Sequence, residues 1–321
     1  MHYTEPITTE LALFDQHFKK SLNSSVPLLN VVLRYLVKRK GKQLRPALVF
    51  LTAKLAGRVT DRSYRGATLV ELMHTASLVH DDIVDDSPLR RGYFSINALW
   101  KNKITVLVGD YMLSRVLLNA VEYKDYDLLE HVSNAVRAMS EGELLQIEKA
   151  RRLDIVESIY YDIISKKTAS LMASCCAVGA ASADASPEIV ERLRTFGEKL
   201  GMAFQIKDDL LDYRHYTATG KPTGIDIQEH KMTLPLIFAL NAADAKERKE
   251  LIRTVKKDSD RPERVQVLMD RVMELGGVSY AESVMEQYRL EALALLTSFP
   301  ADNTARLALE DLCAFVVARS K

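Results

Sequence analysis

The chain has 321 residues, 47% of them apolar and 27% charged, which excludes an intrinsically disordered chain and leaves room for one large domain or two ordinary ones. Lys plus Arg (44) and Asp plus Glu (43) almost cancel, so there is no chain-wide basic footprint of the kind that holds nucleic acid. Glycine (13) and proline (9) are sparse, which favours long helices over many turn-linked strands.

The opening residues are largely polar and carry Glu5 and Glu10, unlike a secretory signal. Leu29, Val32, Leu33, Leu36 and Val37 recur at three-and-four spacing and predict a helix, with Gly41 and Pro46 as interruptions. Leu69, Leu72, Met73, Ala76 and Val79 predict another, which runs into an acidic group and ends at Ser87, Pro88 and Gly92. Ser186 and Pro187 supply a cap and a first-turn proline for a helix over 193–211. Gly220, Pro222 and Gly224 make the most loop-like segment, and Pro300 precedes a last helix over 307–317.

No alternating strand pattern with Asn-Gly or Asp-Gly turns stands out, and no linker or repeat divides the chain. The expectation is a single all-α domain over 1–321. No run of about 18 uncharged apolar residues occurs, so no transmembrane segment is expected. Cys175, Cys176 and Cys313 form no CxxC pair and read as packed thiols in a reducing, cytoplasmic setting.

Chemistry concentrates in two acidic segments. Asp81, Asp82 and Asp85 place their first and third carboxylates on one helix face about a turn apart, and the pattern returns as Asp208, Asp209 and Asp212. An exposed acidic helix end is the bland alternative for either group alone. Both are set among apolar residues, however, where clustered carboxylates without counter-ions are costly. Hard oxygen donors suit Mg²⁺, which binds through a few carboxylates together with substrate phosphates. Cations that could meet a diphosphate lie beside the chain breaks: Lys42, Arg45, Arg90, Arg91, Lys221 and Lys231.

These residues resemble the polyprenyl diphosphate synthase (trans-prenyltransferase) family. The segment 41–46, GKQLRP, is similar to the family's GGKxLRP, and 74–92, HTASLVHDDIVDDSPLRRG, resembles its first aspartate motif with the trailing arginine pair. Lys167-Thr168 matches its KT pair, 205–213, QIKDDLLDY, its second motif, and 220–236 the segment that follows. The resemblance implies an all-α, single-domain helical bundle around a deep central cavity, of the isoprenoid synthase type and usually a homodimer. The implied reaction joins isopentenyl diphosphate to an allylic diphosphate (geranyl, farnesyl or geranylgeranyl) and releases pyrophosphate.

Carried over, Asp81, Asp82 and Asp85 with Asp208, Asp209 and Asp212 would hold three Mg²⁺ ions on the allylic diphosphate, as opposite walls of one site. Arg90, Lys167, Thr168, Gln205, Lys221 and Lys231 would contact that diphosphate. Lys42, Arg45, His74 and Arg91 would hold isopentenyl diphosphate. Three positions depart from the pattern: Lys40 for a first glycine, Gln43 for a common arginine or lysine, and His230 for a glycine before Lys231. The last bears on backbone freedom, because glycine tolerates positive φ.

Ala76 and Ser77 lie about one turn before Asp81, where bulky aromatics in short-chain relatives form a floor. Small side chains here imply a long product, heptaprenyl to decaprenyl with octaprenyl central, of the kind used in quinone side chains. Met73, Val70 and the region 132–139 are candidates for the true floor. The rival readings are a farnesyl or geranylgeranyl diphosphate synthase, a terpene cyclase, and a non-catalytic subunit of a heteromeric synthase.

Overall fold

The computed structural model describes residues 2–38, 43–84, 88–90, 92–152, 156–213 and 224–319, the side chains of 90, 151 and 152 excepted. The described residues are helical almost throughout, as expected from the scarcity of chain breakers. In chain order the helices are α1 (Thr8–Ser21), α2 (Pro27–Val37), α3 (Leu44–Ala56), α4 (Asp61–Val84), α5 (Ile96–Tyr123), α6 (Tyr126–Arg152) and α7 (Glu157–Ile164). A π turn at Ser165–Ala169 leads into α8 (Ser170–Ser182) and then α9 (Pro187–Asp212). There follow α10 (Ile225–Gln228), α11 (Leu234–Ala242), α12 (Ala245–Lys257), α13 (Pro262–Glu274), α14 (Gly277–Leu296) and α15 (Thr304–Ala318).

Two details differ from the sequence reading. Pro46 does not break a helix; it lies buried in the first turn of α3, where a missing N–H costs nothing. A two-residue hairpin, β1 (Leu89–Arg90) with β2 (Tyr93–Phe94), follows α4, paired Leu89 to Phe94 and Arg90 to Tyr93. Strands this short leave no alternation to read, and the only sequence trace is Gly92, which adopts φ +78°.

The chain divides into two compact units, one of residues 1–136, 172–194 and 298–309, the other of 137–171, 195–297 and 310–321. In the first, Phe14, Phe50, Leu51, Leu69, Leu72 and Met112 are fully buried, and α4 packs along α5. Asp125, itself buried, accepts from both Arg62 and Arg65 and ties the start of α4 to the start of α6. In the second, α11 is surrounded by α13 and α14, with Leu234, Leu236, Ile237, Leu268, Met269 and Val272 at the centre.

By length and composition α5 is long and apolar enough to cross a membrane, although Asp110 and Arg115 interrupt its apolar stretch, so it is not an uncharged run. One third of its apolar stretch is buried inside the first unit. Leu107, Leu117, Leu118 and Val121 on the same helix are exposed.

Candidate active site

In the second unit, α9 carries Gln205, Asp208, Asp209 and Asp212 along its last two turns. Asp209 is buried, and each of its oxygens accepts a hydrogen bond: Tyr160 Oη donates to its Oδ2 at 2.7 Å, and Gln205 Nε2 to its Oδ1 at 2.9 Å. Thr168 Oγ1 in turn donates to Gln205 Oε1 at 2.7 Å. One hydrogen-bonded chain therefore runs Thr168–Gln205–Asp209–Tyr160, fixing which face of the Gln205 amide points each way.

Burial pushes the Asp209 carboxyl up to about 7, reinforced by the charge of Asp226 and opposed by the bonds from Gln205 and Tyr160. Asp226 is raised to about 6, first by burial and then by Asp212. The Tyr160 hydroxyl is pushed well above its ordinary value by burial and then by Asp209, so it remains a donor.

Asp212 has a different task. Its two carboxylate oxygens accept from the backbone N–H groups of Ile225 (3.1 Å) and Asp226 (3.0 Å), so it caps the short helix α10 from across the intervening chain. Asp208 points elsewhere again, and its Oδ1 pairs with Arg319 at 2.8 Å. The three aspartates of one motif thus serve three separate sets of partners.

Lys167 and Thr168 belong to the π turn, the wide turn that often marks functional positions in helices. Two glycines make room for it. A Cβ on Gly142 of α6 would lie 2.8 Å from Lys166 Cβ and 3.0 Å from the Lys167 nitrogen; one on Gly201 of α9 would lie 2.5 Å from Ala169 Cα. Lys167 donates to Gln146 at 3.1 Å and pairs with Glu143. Lys231 pairs with Glu229 at 2.5 Å and Asp226 at 3.7 Å. His230, the residue in place of glycine, adopts φ +58° and its Nε2 lies 3.1 Å from Ser259 Oγ.

A cavity of about 190 Å³ gathers Lys167, Thr168, Gln205, Asp209 and Lys231, five residues singled out from sequence, over an apolar lining of Ile163, Ile164 and Met232. Sequence reasoning missed four residues around it: Gln146, Tyr160, Asp226 and the Lys167 partner Glu143. Asp226 could have been found, since it is an acid inside the segment 220–236; the others carry no local signal.

In the first unit, Asp81 and Asp82 lie on the last turn of α4, Asp82 buried and Asp81 half-buried. Asn97, itself buried, donates to the Asp82 carbonyl at 3.5 Å. His74 is buried two turns earlier, and Arg45 lies in the first turn of α3. Ala76 is completely buried, and the Ser77 hydroxyl is spent on the His74 carbonyl at 2.9 Å. Lys42, Asp85, Arg91 and Lys221 lie outside the described residues, as does the side chain of Arg90.

Among the described residues no three His, Cys, Asp or Glu side chains form a group that could hold a metal ion. The donor chemistry nonetheless fits a hard cation: every candidate is a carboxylate oxygen, and Asp208, paired with Arg319, is 40% exposed. The fit is to an ion that takes part of its coordination from phosphate oxygens and water.

The family model described as polyprenyl synthetase matches residues 26–272. An all-trans-nonaprenyl-diphosphate synthase (geranyl-diphosphate specific) of Rhodobacter capsulatus is 35% identical over 309 residues, covering 96% of this chain and 94% of the relative. A polyprenyl synthase of Caulobacter crescentus, solved with calcium and isoprenyl diphosphate, superposes with a TM-score of 0.91 at 34% identity, covering 99% of this chain and 97% of that one. A geranylgeranyl pyrophosphate synthase of Bacteroides thetaiotaomicron is 38% identical with a TM-score of 0.83, each chain 98% covered.

Proposed function

The chain belongs to the polyprenyl synthetase family and is an all-α prenyltransferase, and from that premise we propose that it is a long-chain trans-polyprenyl diphosphate synthase. It adds isopentenyl diphosphate repeatedly to an allylic diphosphate and releases pyrophosphate at each step. The observation that carries this reading is the cavity in which Lys167, Thr168, Gln205, Asp209 and Lys231 converge.

By that reading Mg²⁺ would be held by Asp81, Asp82, Asp85 and Asp208, with Asp209 and Asp212 as the further carboxylates of the second motif. Asp209 and Asp212, each of whose oxygens accepts one protein donor, also hold α9 and α10 in place. When bound, Mg²⁺ neutralises charge developing on the departing pyrophosphate and so eases cleavage of the carbon–oxygen bond. Lys167 and Lys231 stand ready for phosphate oxygens and exchange their carboxylate partners for them. Thr168, oriented by Gln205, is held where it can meet the same group. Ile163, Ile164 and Met232 keep water from the reacting carbon. Arg90, Lys221, Lys42, Arg45, His74 and Arg91 take the contacts implied by the motifs.

Small residues at Ala76 and Ser77 support a long product, serving a quinone side chain. The exposed apolar residues of α5 support a homodimer of single synthase domains, working in the cytoplasm. The 38% identity to a geranylgeranyl pyrophosphate synthase favours one second reading, a shorter product. Incubation with Mg²⁺, farnesyl diphosphate and labelled isopentenyl diphosphate, followed by sizing, separates them. Heptaprenyl or longer products support the proposal, and a stop at geranylgeranyl diphosphate selects the second reading. If Ala76→Tyr leaves the product length unchanged, the assignment of Ala76 and Ser77 to chain length fails.

A further inference from the structure

The last part of α1 and all of α2 form a surface that the reaction does not use. Between them lies a groove of about 710 Å³ lined by Leu22, Val31 and Leu33 and edged by Lys19, Arg34 and Lys38. The helix α2 is apolar on both sides. Val32 and Leu33 are buried in the unit, whereas Leu28 and Val31 are about half exposed, with Val26 exposed just before them. This 11-residue helix carries one charge of its own, Arg34, and its exposed apolar side chains stand beside the flanking Lys19 and Lys38, which together can meet an interface.

Charge selects the occupant. Residues 16–38 contain Lys19, Lys20, Arg34 and Lys38 and no acid, although Asp and Glu make up 43 of the 321 residues. The acids that precede this stretch in sequence are turned to other partners: Asp15 accepts from Gln43 at 2.8 Å, and Glu10 pairs with Lys54 at 2.7 Å. A local excess of positive charge around exposed apolar side chains complements a surface that is negative outside and apolar beneath.

We propose that this α1–α2 face docks on the surface of an anionic phospholipid bilayer, with Leu28 and Val31 entering the interface and Lys19, Arg34 and Lys38 meeting the headgroups. Docking of this kind strengthens with anionic lipid and weakens with salt, because headgroup attraction falls off within a Debye length. It concerns a surface, not the reacting site, and so does not depend on the length of the product.

The test is flotation of the full chain with phosphatidylcholine vesicles made with and without phosphatidylglycerol. Co-flotation with the anionic vesicles alone, weakened by added salt, is the expected result. The pair Lys19→Glu and Arg34→Glu should weaken it by at least about ten-fold, and the pair Leu28→Ser and Val31→Ser should do so independently. Both variants should keep the circular dichroism and prenyl transfer of the parent in detergent solution. Failure of the parent to float, equal binding to neutral vesicles, or binding unchanged in either variant would overturn the proposal. So would light scattering that shows either variant falling apart into smaller species, which would make the face a contact between copies of the chain.

Discussion

Arg319, just beyond α15, pairs with Asp208 of α9 at 2.8 Å while its guanidinium lies 3.8 Å from the centre of the Phe204 ring and donates to the Phe204 carbonyl at 2.9 Å. One turn of α9, from Phe204 to Asp208, thus presents a ring, a carbonyl and a carboxylate to a single side chain. Because Arg319 is only 10% exposed and Asp208 40%, the pair is partly screened by solvent. Arg319→Gln should cost about 1–2 kcal/mol, combining lost pairing with lost stacking. Arg319→Lys should recover less than half, because an ammonium cannot bond and stack at once. Thermal melts of the three proteins decide this; equal stability of the Lys and Arg forms would contradict it.

Asp208 and Asp212 should fail differently. Asp208→Asn should lower kcat by at least about 100-fold and raise the Mg²⁺ concentration needed for half-maximal rate. Asp212→Asn sets an amide NH2 against one of the two N–H groups of α10, so it should mainly loosen that helix, costing about 1 kcal/mol in stability, with a smaller loss of rate. Paired melts and steady-state kinetics across a Mg²⁺ series would show the split. A larger metal effect at Asp212 would reverse the assignment.

Gly201 admits the π turn by letting Ala169 Cα approach where a Cβ would lie at 2.5 Å. Gly201→Ala must push backbone against backbone and should cost about 1–3 kcal/mol. Lys167 and Thr168 would shift with the turn, so KM for the allylic diphosphate should rise. A variant with unchanged KM would show that the turn's position does not matter to binding.

His230 at φ +58° is strained for a residue with a Cβ, and its ring lies in hydrogen-bonding range of Ser259. Replacing it by Ala or by Gly loses that contact equally. His230→Gly should therefore be more stable than His230→Ala by about 1 kcal/mol. Chemical denaturation of the two variants gives the difference directly.

None of the three cysteines forms a disulfide, and all are buried. Burial pushes the thiols of Cys175 and Cys313 up to about 12. The folded protein keeps these protons where the unfolded chain releases them. Stability is therefore unaffected below about pH 9 and falls above it, by about 1.4 kcal/mol per pH unit for each such thiol. Thiol titration at pH 8 should show almost no reaction until denaturant is added.

Much of this protein is legible from residues 41–236 alone. Helical spacing fixes the class, since three-and-four periodicity with few breakers has one physical solution. The two aspartate groups and their companion cations point from sequence to diphosphate chemistry, because carboxylates crowded among apolar residues are costly unless they are neutralised or hydrogen-bonded. Tertiary structure decided how the members of one motif divide their labour. Adjacent letters in 208–212 look equivalent, yet Asp209 faces Tyr160 and Gln205, Asp212 caps α10, and Asp208 meets Arg319 more than a hundred residues away. A helix sends neighbouring side chains in different directions, so their partners depend on which distant segments pack on each face. The same reason hid Tyr160 and Gln146, whose roles arise from where α7 and α6 lie and not from any pattern around them.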